Sequence, residues 1–232
     1  MNLGLSPKKV IRVLIIIVCA IAIISLLGQF YKFLLFDGKE RYLVNFFSLD
    51  KEFNIPTWYQ AISELMCSLL LAIIFMAAKV ENDRFKYHWL GLSLIFLLIA
   101  TDEMLVLHEQ IISPLRKLLG TGGFLSNAWI IPAIILGIVF IIAYYKFLRS
   151  LPSTTRKRFI VAGLIFGSGA VGMEAIGGWI STLIGNNNLT YSLMTNVEEI
   201  LEMSGILLFI YSLLLYFQIQ YPAVTFSVGE KG

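Results

Sequence analysis

Histidine is almost missing from this chain, which has only His88 and His108. That scarcity excludes the histidine-rich metal sites of membrane oxidases and desaturases. Cysteine is equally scarce. Cys19 and Cys67 both lie inside apolar runs, so no disulfide framework is expected and cysteine usage does not assign a compartment. Charge is thin as well, at 14% of residues, against about 25% in soluble domains. The net charge of +3 is scattered along the chain, which leaves no surface for nucleic acid. No strong internal repeat, low-complexity stretch or soluble domain interrupts the pattern, and the simplest division is one transmembrane domain over residues 1–232.

What fills the chain instead is apolar length, 58% of it hydrophobic. Six runs stand out, over residues 10–36, 58–80, 89–110, 128–148, 159–181 and 191–216. Each reaches the ~20 residues that a helix needs to cross a bilayer. The fold expected is therefore an all-α, polytopic membrane bundle of six transmembrane helices. The first run follows Lys8, Lys9 and Arg12 and continues too long for a cleaved signal peptide, so it reads as a signal anchor. Lys and Arg set the orientation. Twelve fall in one set of connecting segments and five in the other, which places both termini and the Ser150–Arg158 loop in the cytoplasm. The compartment this implies is a bacterial inner membrane, with the lipid bilayer as the constant partner.

Against this background the acids matter. Eight lie inside the runs: Glu64, Asp102, Glu103, Glu109, Glu174, Glu198, Glu199 and Glu202. A charge at the centre of a bilayer helix costs roughly 2.5–3.5 kcal/mol on insertion scales, so such residues face the protein interior and mark function. At ~1.5 Å per residue, Glu64, Asp102, Glu174 and Glu198 come to lie roughly 10–13 Å inside the outer boundary. Four helices thus bring acid to one depth. Asp102 and Glu109 are seven apart, about two turns, and share a face of an unbroken third helix. Glu198, Glu199 and Glu202 fit one arc of the sixth. Gln60, Glu64 and Ser68 form a polar stripe on the second, with Cys67 beside it. On the fifth, Gly163, Gly167, Ala170, Glu174 and Gly178 follow helical spacing and predict close packing that carries Glu174 inward. Lys32, within the first run, is the sole base inside a span and reads as snorkelling or as a partner of the acids. Tryptophans, Trp89 and Trp129 included, suit the interfacial belts.

So many carboxylates against one base are protonated, bind cations, or open to water. The candidate ligand set is Asp102, Glu103, His108, Glu109, Glu174, Glu198, Glu199 and Glu202, with Glu64, Ser68 and Lys32 as an additional polar cluster. Carboxylates with one imidazole favour a divalent cation such as Ca²⁺, Mg²⁺, Mn²⁺, Fe²⁺ or Zn²⁺. A di-iron bundle wants Glu-x-x-His pairs, and none occurs; Glu199-x-x-Glu202 is as near as the chain comes. The membrane hydrolases that include alkaline ceramidases place a His-x-x-x-His pair in their last helix, and the last run here has no histidine. The motifs Asp102-Glu103…His108-Glu109 and Glu198-Glu199-x-x-Glu202-Met203-x-Gly205 resemble those of a group of bacterial multi-pass membrane proteins, a likeness confined mainly to two helices and bringing no activity with it.

Three functions fit these residues. The first is cation or proton handling by a transporter or channel. The second is an intramembrane metal-dependent enzyme acting on a lipid-like or apolar substrate. The third is a structural or assembly subunit. Acids from several helices at one depth favour the first.

Overall fold

A computed structural model describes residues 6–39 and 41–221. Lys231, one of the residues behind the orientation, lies outside the described residues, as do both chain ends. Among the described residues the architecture is helical, with no strand. The spanning helices are α1 (Pro7–Leu35), α3 (Ile55–Val80), α4 (Lys86–Leu105), α6 (Ile130–Ser150), the pair α7 (Ser153–Gly167) and α8 (Glu174–Ile184), and α9 (Leu189–Gln220). Among the described residues, six units are long and apolar enough to cross a membrane. Two shorter helices, α2 (Tyr42–Phe47) and α5 (Leu107–Leu119), lie in the links at the acidic end.

Helix α9 is the axis of the bundle. It packs against α1, α3, α7 and α8, whereas α6 is the least buried span and exposes Ile134 through Ile142 along much of its length. Gly205 explains how α7 comes so close to α9. A Cβ there would stand 2.7 Å from the Phe166 backbone nitrogen and 2.9 Å from the Ala162 carbonyl oxygen. Helices α3 and α4 are stitched together by a reciprocal pair: Ser68 Oγ donates to the Ser93 carbonyl at 2.8 Å, and Ser93 Oγ donates to the Ser68 carbonyl at 2.9 Å.

Caps mark the helix starts. Asn54 Oδ1 accepts from the Thr57 N–H at the start of α3, and its amide nitrogen donates to the Asn45 and Ser48 carbonyls, which ties α2 to that start. Asn188 Oδ1 accepts from the Tyr191 N–H and opens α9. Pro132 falls in the first turn of α6, where its missing N–H leaves no helical hydrogen bond unmade.

Four expectations need correction. The third span ends at Leu105, because Val106 adopts φ 53° and α5 starts in a new direction. Asp102 and Glu109 therefore do not share a continuous helical face. Gly163 and Gly167 face open space rather than a neighbouring helix. A π-helical turn over Ser168–Met173 shifts the register, and the glycines that pack are Gly169 and Gly178. Trp89 is not interfacial: it is fully buried among Phe147, Phe159 and Tyr216. Lys32 does not snorkel; it is 2% exposed.

Candidate functional site

The site begins with the π-helical turn. Its extra residue per turn lets Gly169 settle onto α9, where a Cβ would lie 2.7 Å from the Glu198 carbonyl oxygen and 2.8 Å from Glu202 Cγ. No side chain larger than hydrogen fits between the two helices there. The same turn delivers Glu174, the first residue of α8, to the acidic stretch of α9. The Glu174 and Glu198 carboxyl groups lie within hydrogen-bonding reach of each other. From the other side Trp129 Nε1 donates to Glu174 Oε1 at 2.9 Å, which joins the start of α6 to the site.

Helix α3 supplies the deepest groups. Gln60 and Glu64 are each 1% exposed and one turn apart. Gln60 Nε2 donates to Glu202 Oε2 at 3.4 Å, whereas Gln60 Oε1 and Glu64 Oε2 are buried without a hydrogen-bond partner. Glu64 lies in the electrostatic field of Glu103, Glu202 and Asp102. Glu202 in turn feels Glu103, Glu174 and His108, and Glu199 feels Glu202, Glu103 and Glu198. Acids from α3, α4, α8 and α9 thus form one neighbourhood.

The break at Val106 shapes the mouth. Asp102 Oδ1 accepts from the His108 backbone N–H at 2.8 Å, and Asp102 Oδ2 is 2.7 Å from His108 Nδ1. One carboxylate therefore ties α5 back onto α4 and orients the imidazole, whose ring sits 5.0 Å from that of Trp129. His108 lies beyond the end of the span. Burial disfavours its charge, but the hydrogen bond and charge of Asp102, helped by Glu174 and Glu109, outweigh that and raise its pKa to about 9. Glu109 is exposed on α5, within reach of Glu52 and His108.

Two of the additional candidates belong elsewhere. Ser68 bonds Ser93 and stitches helices instead of lining the acids. Lys32 shares a face of α1 with Ser25 and Gln29, four and three residues apart. Their partners form a second polar knot. Ser25 Oγ donates to Asn196 Oδ1 at 2.7 Å and accepts from the Leu49 N–H at 2.9 Å, and Gln29 Nε2 donates to Ser48 Oγ at 2.6 Å. Ser192 Oγ reaches Asp50 at 3.2 Å. This knot fastens the link between α1 and α3 over α9 and brings Glu52 into the electrostatic field of Glu103, Glu199 and Glu202.

The family described as Domain of unknown function (DUF8692) matches residues 12–217, from the first turns of α1 to the end of α9. The chain belongs to that family. No curated protein and no solved structure matches it. In this DUF8692 chain, two members of the site carried no signal that singled them out in the sequence. Glu52 is a loop acid like any other until the loop is folded over α9. Trp129 has the place of an ordinary belt tryptophan, and its bond to Glu174 spans 45 residues.

Proposed function

We propose that this integral membrane protein handles protons, as a proton-coupled transporter whose coupling site is the acid neighbourhood around Glu174 and Glu198. The observation that carries the reading is the juxtaposition of those two carboxyl groups, each within hydrogen-bonding reach of the other. An ionised carboxylate only accepts, so two of them hydrogen-bond only when one holds a proton. Losing that proton leaves two like charges in a poorly solvated site, which drives α8 away from α9; regaining it draws them together. Trp129 ties α6 to the same event through Glu174 Oε1. Proton occupancy thereby becomes helix position, the link a coupled transporter requires.

A divalent-cation form of the same reading uses Asp102, Glu103, His108, Glu109, Glu174, Glu198, Glu199 and Glu202 as its donors. Among the described residues no three His, Cys, Asp or Glu side chains are grouped to hold a metal ion, which is why the proton is preferred.

The test is pH-jump infrared difference spectroscopy on the protein in lipid. The wild type should show a protonated-carboxyl band that shifts in heavy water and vanishes in Glu174→Gln and Glu198→Gln. A band unchanged in both variants sinks the reading.

A second reading, an enzyme working at the membrane face, draws on the Asp102–His108 pair, since a carboxylate on Nδ1 that keeps the imidazole protonated leaves Nε2–H to act as a general acid. Hydrolysis of an ester-lipid panel, lost in His108→Gln, would support it; no turnover of any member would remove its support.

A further inference from the structure

We propose that Gln60 and Glu64 form the seat of a monovalent alkali cation, at the deep end of the acid neighbourhood. The seat borrows its walls from the site proposed above to handle protons, and so rests on that reading, but it adds a second and different ion.

Two atoms on α3 are orphaned. Gln60 Oε1 and Glu64 Oε2 are both acceptors, both belong to side chains 1% exposed, and neither has a hydrogen-bond partner. A buried acceptor left without a donor is costly, and more so when it is charged. Two of them one turn apart on a single helix face point to a common occupant. The amide of Gln60 is already committed. Its nitrogen donates to Glu202, which leaves its oxygen as the orphaned acceptor.

Chemistry then chooses the occupant. With Glu64 protonated, its hydroxyl can donate to Gln60 Oε1; with Glu64 ionised, both oxygens are acceptors and a cation between them serves both. One carboxylate and one neutral amide oxygen carry a single formal negative charge, which a monovalent cation balances. Below the pair, Cys67, Leu71 and Ile74 on the same helix are buried and apolar, so the seat is closed on that side and the ion arrives from the acidic end.

The experiment is thermal unfolding of the full chain in detergent at fixed pH and ionic strength, with N-methylglucamine chloride replaced stepwise by lithium, sodium or potassium chloride. One alkali cation should raise Tm in a saturable way. Gln60→Ala and Glu64→Gln should weaken the apparent affinity at least tenfold. Glu198→Gln, which removes the carboxyl pair, should keep the cation response, so that failure of the proton reading and failure of this one are told apart. Saturable binding of radioactive sodium to the purified wild type, competed by the preferred cation, gives the same answer without relying on a variant that folds. Absence of any alkali-specific shift, or an equal shift in all the variants, overturns the proposal and leaves a buried water as the occupant.

Discussion

The two halves of the bundle solve opposite problems. At the end where α3 finishes and α4 begins, the helices are regular and the links short, with Glu81–Phe85 and Leu151–Pro152 as connections. That half is filled with Trp89, Phe147, Phe159, Ile210, Leu213 and Tyr216, and the Trp89 and Phe147 rings meet edge to face at 4.8 Å. At the other end the backbone is irregular. Val106 breaks α4 from α5, a π-helical turn precedes Glu174, and α2, α5 and the Asp50–Asn54 link lie over the helix ends. The break at Val106 is held by Asp102, the π-helical turn delivers Glu174, and the Asp50–Asn54 link carries Glu52. In a bilayer, irregular backbone is tolerated only where protein or polar groups satisfy it. The aromatic half is a seal; the acidic half is a site, and its irregularities are what bring the carboxyl groups together.

The contrast is broken most severely in the seal. Trp89→Ala removes a fully buried side chain between Phe147, Phe159 and Tyr216 and should cost about 3–5 kcal/mol. Because no titrating acid is involved, the loss should be the same from acid to alkaline pH. A loss of Tm that varied strongly with pH would mean the two halves are not separable. Gly205→Val comes next, at about 3 kcal/mol, the upper end of the overpacking range, because two of the three atoms it meets are backbone. Gly163→Val, facing open space, is the control and should melt close to wild type. Equal melting of the two variants would refute the close approach of α7 to α9.

That pair also shows what could be read in advance. Apolar length alone revealed the six spans, since a bilayer demands it. The acids stood out because hydrocarbon punishes charge, and the Gln60–Glu64 stripe because its spacing is helical. Gly163 and Gly167 had the same helical logic and still pointed the wrong way, because a π-helical turn inserts a register shift that no residue type announces. Val106 is a β-branched residue in left-handed backbone, a place where glycine would be anticipated. The conformation is held by Asp102 gripping both the backbone and the ring of His108, a pairing visible only once the chain has turned. Glu52 and Trp129 reach the site through tertiary contacts that periodicity does not encode.

Within the acidic half, Asn196→Ala should cost about 2 kcal/mol, since it strips Ser25 Oγ of its buried acceptor. It should also loosen the link that carries Glu52. Hydrogen exchange at Leu49, whose N–H is held by Ser25, is the measurement. Unchanged protection there would show that the knot does not hold the loop.

The smallest effect concerns His108, and its sign is set by its surroundings. In the unfolded chain an imidazole titrates near 6.5; in the folded protein burial works against the charge, yet the hydrogen bond and charge of Asp102 lift it to about 9. A folded value above the unfolded one means that protonation favours the native state. The stabilisation is fully present below about pH 6.5 and is lost as pH rises through about 9. His108 is 27% exposed, so screening trims the contribution to about 1 kcal/mol or less. Tm measured from pH 6 to pH 10 should therefore fall more steeply in the wild type than in His108→Gln. Trp89→Ala, destabilised far more, should keep the wild-type slope, because its lesion lies away from His108 and the acid neighbourhood. If His108→Gln keeps that slope too, the pH dependence belongs to the carboxyl groups on α9 and α3, and the Asp102–His108 pair serves to hold the turn at Val106 and not to sense protons.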